Sequence, residues 1–257
     1  MGDYYTQVAL GNVPGRSIMS AMGERINVGT TAAGEDIWRG NDLSGTPALP
    51  ASTTDIPVPS DAGEQMTMIC ENSNDTLAGT GAQKVRIFYI DDKGEEQTED
   101  LDTAGLSEVD TVATNIRFIN DYCAFQTGSV GVSVGNIRFY KKGANTLVYG
   151  MIAAGGNKSL VPHRMIPAGK ILILKAWHAE EARGKRSNVR IRSTDTQGVL
   201  HSGAFCFKGS AFVNASTTGE TSIHEKIPSF SIIKVSAWAV ALGGDVGCGW
   251  WGELVEI

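Results

Sequence analysis

The sequence predicts an all-β protein: an extended N-terminal arm over residues 1–50, then two β-sandwich, jelly-roll-like domains over 51–150 and 151–257. Three observations predict it. Glycine occurs 31 times in 257 residues, enough to punctuate many tight turns and short strands. Stretches of apolar–polar alternation bounded by Asn, Asp, Gly or Pro recur from residue 65 onward. Only His178 to Arg183 has the composition of a helix, and it is too short to stand as one before Gly184.

The arm is inferred from spacing. Gly11, Pro14, Gly15, Gly23, Gly29, Gly34, Gly40 and Gly45 interrupt residues 1–50 too often for a regular element. Apolar residues are nevertheless distributed through it, and an extended segment cannot bury them against itself. Tyr4, Tyr5, Val8, Leu10, Ile18, Met19, Ile37 and Trp38 are therefore candidate anchors, lying along the chain's own body or along a neighbouring subunit. The Pro-, Ser- and Thr-rich run PALPASTTDIPVPS over residues 47–60 reads as an extended connection.

In the first domain, Gln65 to Cys70 alternates, and Val85 to Ile90 is a strand closed by the hairpin turn Asp91-Asp92-Lys93-Gly94. Glu95 to Leu101 returns, and Thr111 to Phe118, Tyr122 to Gln126 and Gly135 to Tyr140 complete the set. The small-residue stretch Gly150 to Lys158 marks the boundary. In the second domain, Pro167-Ala168-Gly169-Lys170 forms a turn before the apolar strand Ile171 to Trp177. Asn188 to Ser193, Ala204 to Lys208, Ala211 to Ala215, Ser231 to Ala241 and Gly249 to Ile257 follow.

Composition narrows the function classes. A hydrophobic content of 42% against 19% charged is that of a chain with real cores. The net charge of −6 argues against wholesale nucleic-acid binding, and no apolar window is long enough to span a membrane. Cys70, Cys123, Cys206 and Cys248 stand far apart without metal-ligand spacing, and read as free, buried thiols. Gly79-Thr80-Gly81 lacks the third glycine of a dinucleotide loop and precedes a strand, so it reads as a turn. His178-Ala179-Glu180 has the first half of a zinc-deaminase signature without the Pro-Cys-x-x-Cys half. No Gly-x-Ser-x-Gly elbow occurs. The carboxylates Glu95, Glu96, Glu99, Asp100 and Asp102 read as keeping a strand edge soluble. No catalytic, cofactor-binding or metal-ligating residue is therefore expected, and no cofactor.

One cluster stands out in an acidic chain: Arg183, Lys185, Arg186, Arg190 and Arg192. It reads as a solvated edge or as a contact with an acidic neighbouring subunit. The local sequence interleaves no aromatic residues with it, which weighs against nucleic acid.

The most specific run is Asn74-Asp75-Thr76-Leu77-Ala78-Gly79-Thr80-Gly81-Ala82, followed by Val85-Arg86-Ile87 and an Asp-containing turn. Glu99 to Gly105, Val109-Asp110-Thr111, Tyr4 to Gly15, Glu35-Asp36-Ile37-Trp38 and Ile166 to Lys170 accompany it. Together they resemble a module of virion structural proteins of marine and freshwater tailed bacteriophages, in which an N-D-T-x-A-G-T-G-A turn precedes a strand. The resemblance implies a non-enzymatic particle component: a capsid decoration, head-fibre or head–tail-junction protein anchored through its N-terminal arm. The alternative it leaves open is a tail fibre or receptor-binding protein whose second sandwich contacts host-surface glycan. The expected partners are capsid, neck or tail subunits and further copies of the chain, a trimer among the admissible counts. Neither membrane nor direct nucleic-acid binding is expected, and the expected location is the virion, after synthesis in the host cytoplasm.

Overall fold

The computed structural model describes residues 4–39, 55–194, 205–214 and 219–257, with the backbone alone at 219–223. Most of the expected 47–60 connection lies outside the described residues.

The architecture is all-β. A short helix, α1 (Tyr4–Ala9), precedes β1 (Arg16–Val28) and β2 (Glu35–Asp36). Next come β3 (Met66–Cys70), β4 (Ala82–Asp91), β5 (Glu96–Asp102), β6 (Val109–Asp110), β7 (Ile116–Thr127), β8 (Ile137–Lys141) and β9 (Ala144–Ile152). The chain ends with β10 (Arg164–Met165), β11 (Lys170–Glu181), β12 (Ser187–Thr194), β13 (Phe205–Val213), β14 (Gly219–Ile227), β15 (Ile232–Ala239) and β16 (Gly244–Glu256).

By their contacts the described residues form two units: unit 1 spans 4–23, 28–37 and 162–257, and unit 2 spans 24–27 and 38–161. The division thus falls after Val161 and not after residue 150. The reason is β9, which pairs with β8, so the small-residue stretch expected to mark the boundary is partly strand. Gly150 is small because a side chain there would collide with the Tyr122 ring.

Unit 2 contains the sheets β6-β3-β8-β9 and β5-β4-β7. Met66, Met68, Ile137 and Phe139 of the first sheet and Val85, Ile87, Ile116 and Tyr122 of the second share one core. The opposite face of the first sheet is also covered: Ile69, Tyr140, Val148 and Met151 pack with Trp38, Ile56 and Val161. Burial on both faces explains why β3 is apolar almost throughout; in β8 the buried Arg138 is paired with Glu71 at 2.8 Å. The 91–94 hairpin forms as its residues dictate: Asp91 Oδ1 accepts the N–H groups of Lys93 and Glu95 at 2.9 Å each, and Gly94 takes φ 85°.

The Asn74–Ala82 run is a knot. Asp75 is fully buried, and its Oδ1 accepts the N–H groups of Ala82 (2.8 Å) and Val134 (2.9 Å). Its Oδ2 accepts Gly135 N–H at 2.7 Å, and its own carbonyl accepts Gly105 N–H at 2.8 Å. Both glycines of Gly79-Thr80-Gly81 are required by this closeness: a Cβ on Gly79 would collide with the Asn74 carbonyl, and one on Gly81 with the Asp75 carboxylate.

Unit 1 contains the sheets β1-β16-β11-β14 and β10-β15-β12-β13, with β2 added against β15. Met19, Ala21, Leu172, Trp177, Trp250 and Leu254 from the first sheet meet Val189, Ile191, Val213, Ile233, Val235 and Ala237 from the second in one core. His163 is buried at the start of this segment, its Nε2 3.2 Å from the Val235 carbonyl. Burial, then the nearby Lys234, pushes its imidazole well below the ordinary value, so the ring is neutral and donates that bond.

Five expectations are corrected. Residues 16–28 are not an irregular arm but a 13-residue strand. Its alternation was concealed because the inward positions hold Ala21, Gly23 and Arg25 whereas the outward ones hold Met22 and Ile26. Residues 111–126 give one strand, β7, starting only at Ile116, because Thr111 is occupied elsewhere: its Oγ1 donates to the Ala113 carbonyl and accepts the Met66 N–H. His178 to Glu181 continue β11 instead of forming a loop, and Phe205–Val213 form the single strand β13, with a register shift, where two strands were expected. Of the cysteines, Cys70 and Cys248 are buried but Cys206 is exposed.

Two outcomes follow for stability. Deleting residues 1–45 removes β1 and β2 with Met19, Val28 and Ile37, side chains whose loss costs about 2–5 kcal/mol each; unit 1 should lose its cooperative melt, whereas deleting residues 1–12 should preserve it, as read by calorimetry. Asp75→Ala leaves two buried N–H groups and a part-buried third without their acceptor, at about 1–3 kcal/mol for each buried one, so denaturant unfolding should show unit 2 severely destabilised.

Candidate functional site

The eight candidate anchors do not form one surface. Val8, Met19, Ile37 and Trp38 are buried in the body of the chain, and Ile18 is half-buried. Tyr4, Tyr5 and Leu10 remain exposed. Tyr4 is a latch: its hydroxyl donates to Glu253 Oε1 at 2.5 Å, and Arg16 Nη1 lies 2.7 Å from the same oxygen. Burial raises the Glu253 carboxyl, but the Tyr4 and Arg16 hydrogen bonds outweigh it and hold the group below its ordinary value. Tyr5 stands edge-on to Trp251, ring centroids 5.3 Å apart, with Lys175 Nζ 5.6 Å from its own centroid.

Beside this latch the outer face of the β1-β16-β11 sheet carries a depression of about 220 Å³. A bulge between Leu174 and Ala176 sets its register, so Ala176 faces Trp251 and His178 faces Gly249. Ala176 and Gly249 line it with little bulk, while Trp251, His178, Met22 and Ser20 stand around it. The His178 ring occupies the space a Gly249 side chain would fill. An indole, an imidazole and a hydroxyl around a small hollow suit a compact ligand with one apolar face and several hydroxyls.

The basic cluster is brought together, on two levels. Glu181, buried, accepts Arg183 N–H (3.0 Å) and Asp245 N–H (3.2 Å) on Oε1 and Lys185 N–H (2.7 Å) on Oε2, which fixes the loop presenting Arg183, Lys185 and Arg186. Arg183 also pairs with Asp245 at 2.6 Å. Arg190 and Arg192 share the outer face of β12, where rings from the flanking strands meet them. Arg186 lies 5.8 Å from the Phe212 centroid, Arg190 5.2 Å from Phe207 and 5.8 Å from Trp238, and Arg192 5.7 Å from Phe205. Lys234 of β15 lies 5.0 Å from Phe205 and forms a 2.6 Å ion pair with the buried Asp36 of β2. The result is a ladder of cations and rings over β13, β12 and β15. The aromatic interleaving absent from the local sequence is supplied by other strands, with no signal in residues 183–192 themselves.

In unit 2, the β5 carboxylates are engaged. Arg86 grips Asp100 in a two-pronged contact (2.6 and 2.8 Å), Lys84 pairs with Asp102, and Glu99 accepts the N–H groups of Val112 and Ala113.

No family model matches the chain, and no curated protein matches it. Two solved structures of infectious bursal disease virus align along most of its length. The Gt strain structure is 8% identical over 99% of this chain and 78% of that one, with a TM-score of 0.25. The Gx strain structure is 9% identical over 94% and 72%, with a TM-score of 0.27. Likenesses this low show neither a shared fold nor a shared function.

The latch makes a pH prediction. Glu253 has a folded pKa below its ordinary 4.5, so its stabilisation is complete above that value and is lost as pH falls through the lower folded pKa. His163 acts earlier: its folded pKa lies far below 6.5, so the unfolded chain takes up the proton first and stability declines below that pH. In thermal melts from neutral to about pH 3, the gap between wild type and Glu253→Gln should hold constant down to about pH 4.5 and then close. A gap that persists unchanged to the acid end would refute the latch.

Proposed function

We propose that this chain is a non-enzymatic structural component of a tailed-phage particle: a capsid decoration, head-fibre or head–tail-junction protein. Each unit is read as a β-sandwich, its two sheets closing on the core they share. The observation that carries this reading is the role of the Asn74–Ala82 run. The residues on which the phage resemblance rests are those that tie the unit 2 loops through Asp75, so the shared motif specifies a building block and not a chemistry. The engagement of the β5 carboxylates with partners in their own unit favours the same reading over a hydrolase with two converging acids.

The anchoring element is narrower than residues 1–50. Exposed Tyr4, Tyr5 and Leu10 in the segment before β1 are available to a neighbouring subunit, whereas Met19, Ile37 and Trp38 serve the body. The test is incorporation: the chain lacking residues 1–12 should fold and be missing from purified particles, while wild-type chain is located on head or neck by electron cryomicroscopy. Normal incorporation of the truncated chain would remove the anchoring role, and wild-type chain absent from every particle would remove the structural one.

A receptor-binding reading is favoured by one specific observation, the depression lined by Trp251, His178, Met22 and Ser20. On that reading the outer face of unit 1 holds a sugar ring against the indole. A glycan array should then return a ligand whose signal disappears with Trp251→Ala in a chain that still melts normally; an array without hits removes this alternative.

A further inference from the structure

The basic face of unit 1 has a complement within the same sequence. Residues 182–194 hold five cations and no carboxylate, while residues 91–110 hold nine carboxylates and one lysine. The asymmetry extends to whole units: the unit 1 segments of the sequence carry 12 basic and 11 acidic residues, the unit 2 segments 10 and 17. Among the described residues the acidic run includes an edge strand, and the basic run lies on the strand next to one. β13 ends one sheet with β12 beside it, and β5 ends another. Edge strands leave backbone donors and acceptors unpaired along one side. On β13, Phe207 and Phe212 are 62% and 63% exposed. On the β4–β5 hairpin, Glu95 and Glu96 are exposed, and the Asp100 and Asp102 side chains stay 44% and 56% exposed despite their ion pairs.

We infer that the cation–ring face of one copy receives the acidic 91–110 edge of a second copy. Arg186 and Arg190 supply planar guanidinium groups suited to carboxylates, and Phe207 and Phe212 supply apolar area that leaves water on contact. The two surfaces differ, so the contact is head-to-tail: it propagates from copy to copy and either closes into a ring or extends as an array. Single-stranded nucleic acid fits the face less well. Phe205, Phe207 and Phe212 each already carry a cation over one face, which leaves fewer ring faces for base stacking. The acidic balance of the chain also opposes a polyanion.

The inference is tested without any particle, on purified full-length chain, so its fate is separate from that of the proposed location. Sedimentation velocity over a concentration series should show mass growing with concentration at about 0.05 M salt and falling toward monomer at about 0.5 M. The double reversals Arg186→Glu/Arg190→Glu and Glu95→Lys/Glu96→Lys should each weaken association by at least about tenfold. Far-UV circular dichroism checks that both are folded. Mixed in equal amounts, the two variants should associate again, because each presents the surface the other has lost. A wild type monomeric at all concentrations, association unmoved by salt or by either reversal, or a mixture that stays monomeric would each overturn the inference. Binding of a labelled single-stranded oligonucleotide in the absence of self-association would assign the face to nucleic acid.

Discussion

The carboxylate of Asp75 holds together the loops that end several strands of unit 2. Its two oxygens collect the N–H groups of Ala82 at the start of β4 and of Val134 and Gly135 just before β8. Neither loop has a ladder partner for these donors, and burying them unanswered would cost more than the hydrogen bonds contribute. Three donors around one buried charge make the geometry specific as well as stable. The neighbours follow from this point: Gly79 and Gly81 leave room for the approach, and Thr103 Oγ1 donates to the Ala82 carbonyl at 2.7 Å. Change Asp75 and the register of β4 and β8 loses its common reference.

Unit 1 uses the same device where the consequence faces outward. Glu181 at the end of β11 gathers backbone N–H groups from Arg183, Lys185 and Asp245. The inner carboxylate thereby sets the outer cations, since the loop it ties carries Arg183, Lys185 and Arg186. Net charge alone hides this economy. Asp36, Asp75, Glu181 and Glu253 are buried acids spent on backbone amides or on Lys, Arg and Tyr side chains, so a chain of net charge −6 presents a face that is locally basic.

Much of the fold was legible because local chemistry decided it. Asp91 to Gly94 form the expected hairpin, Pro167 to Lys170 the expected turn, and Asn188 to Ser193 the expected strand, each set by residues adjacent in sequence. What escaped was decided at a distance. β1 reads as irregular because its inner positions are small or charged, a choice that makes sense only beside Pro162 and Ile37, which crowd Gly23. The boundary after Val161 depends on β9 finding β8. The site shows the same split. The cations of residues 183–192 were visible as a cluster, but the rings that turn them into a ladder arrive from Phe205, Phe207, Phe212 and Trp238 through pairing with β13 and β15.

That pairing also explains how such a face remains stable in solution. Two largely exposed phenylalanines on an edge strand make a template for indiscriminate strand addition. Guanidinium groups over their rings change the terms: they hold water and like charge at the edge, so a neutral or basic strand approaching it must displace both. An acidic strand meets no such barrier, because its carboxylates answer the same guanidinium groups while the rings keep their cations. The arrangement therefore selects by charge among possible partners before any side-chain fit is tested. It also leaves a condition: selection lasts only while the arginines stay ordered over the rings, which is the task of Asn188, whose Oδ1 accepts Arg190 Nε–H at 2.7 Å, and of the Ala32 carbonyl, which accepts Arg190 Nη1–H at 3.2 Å.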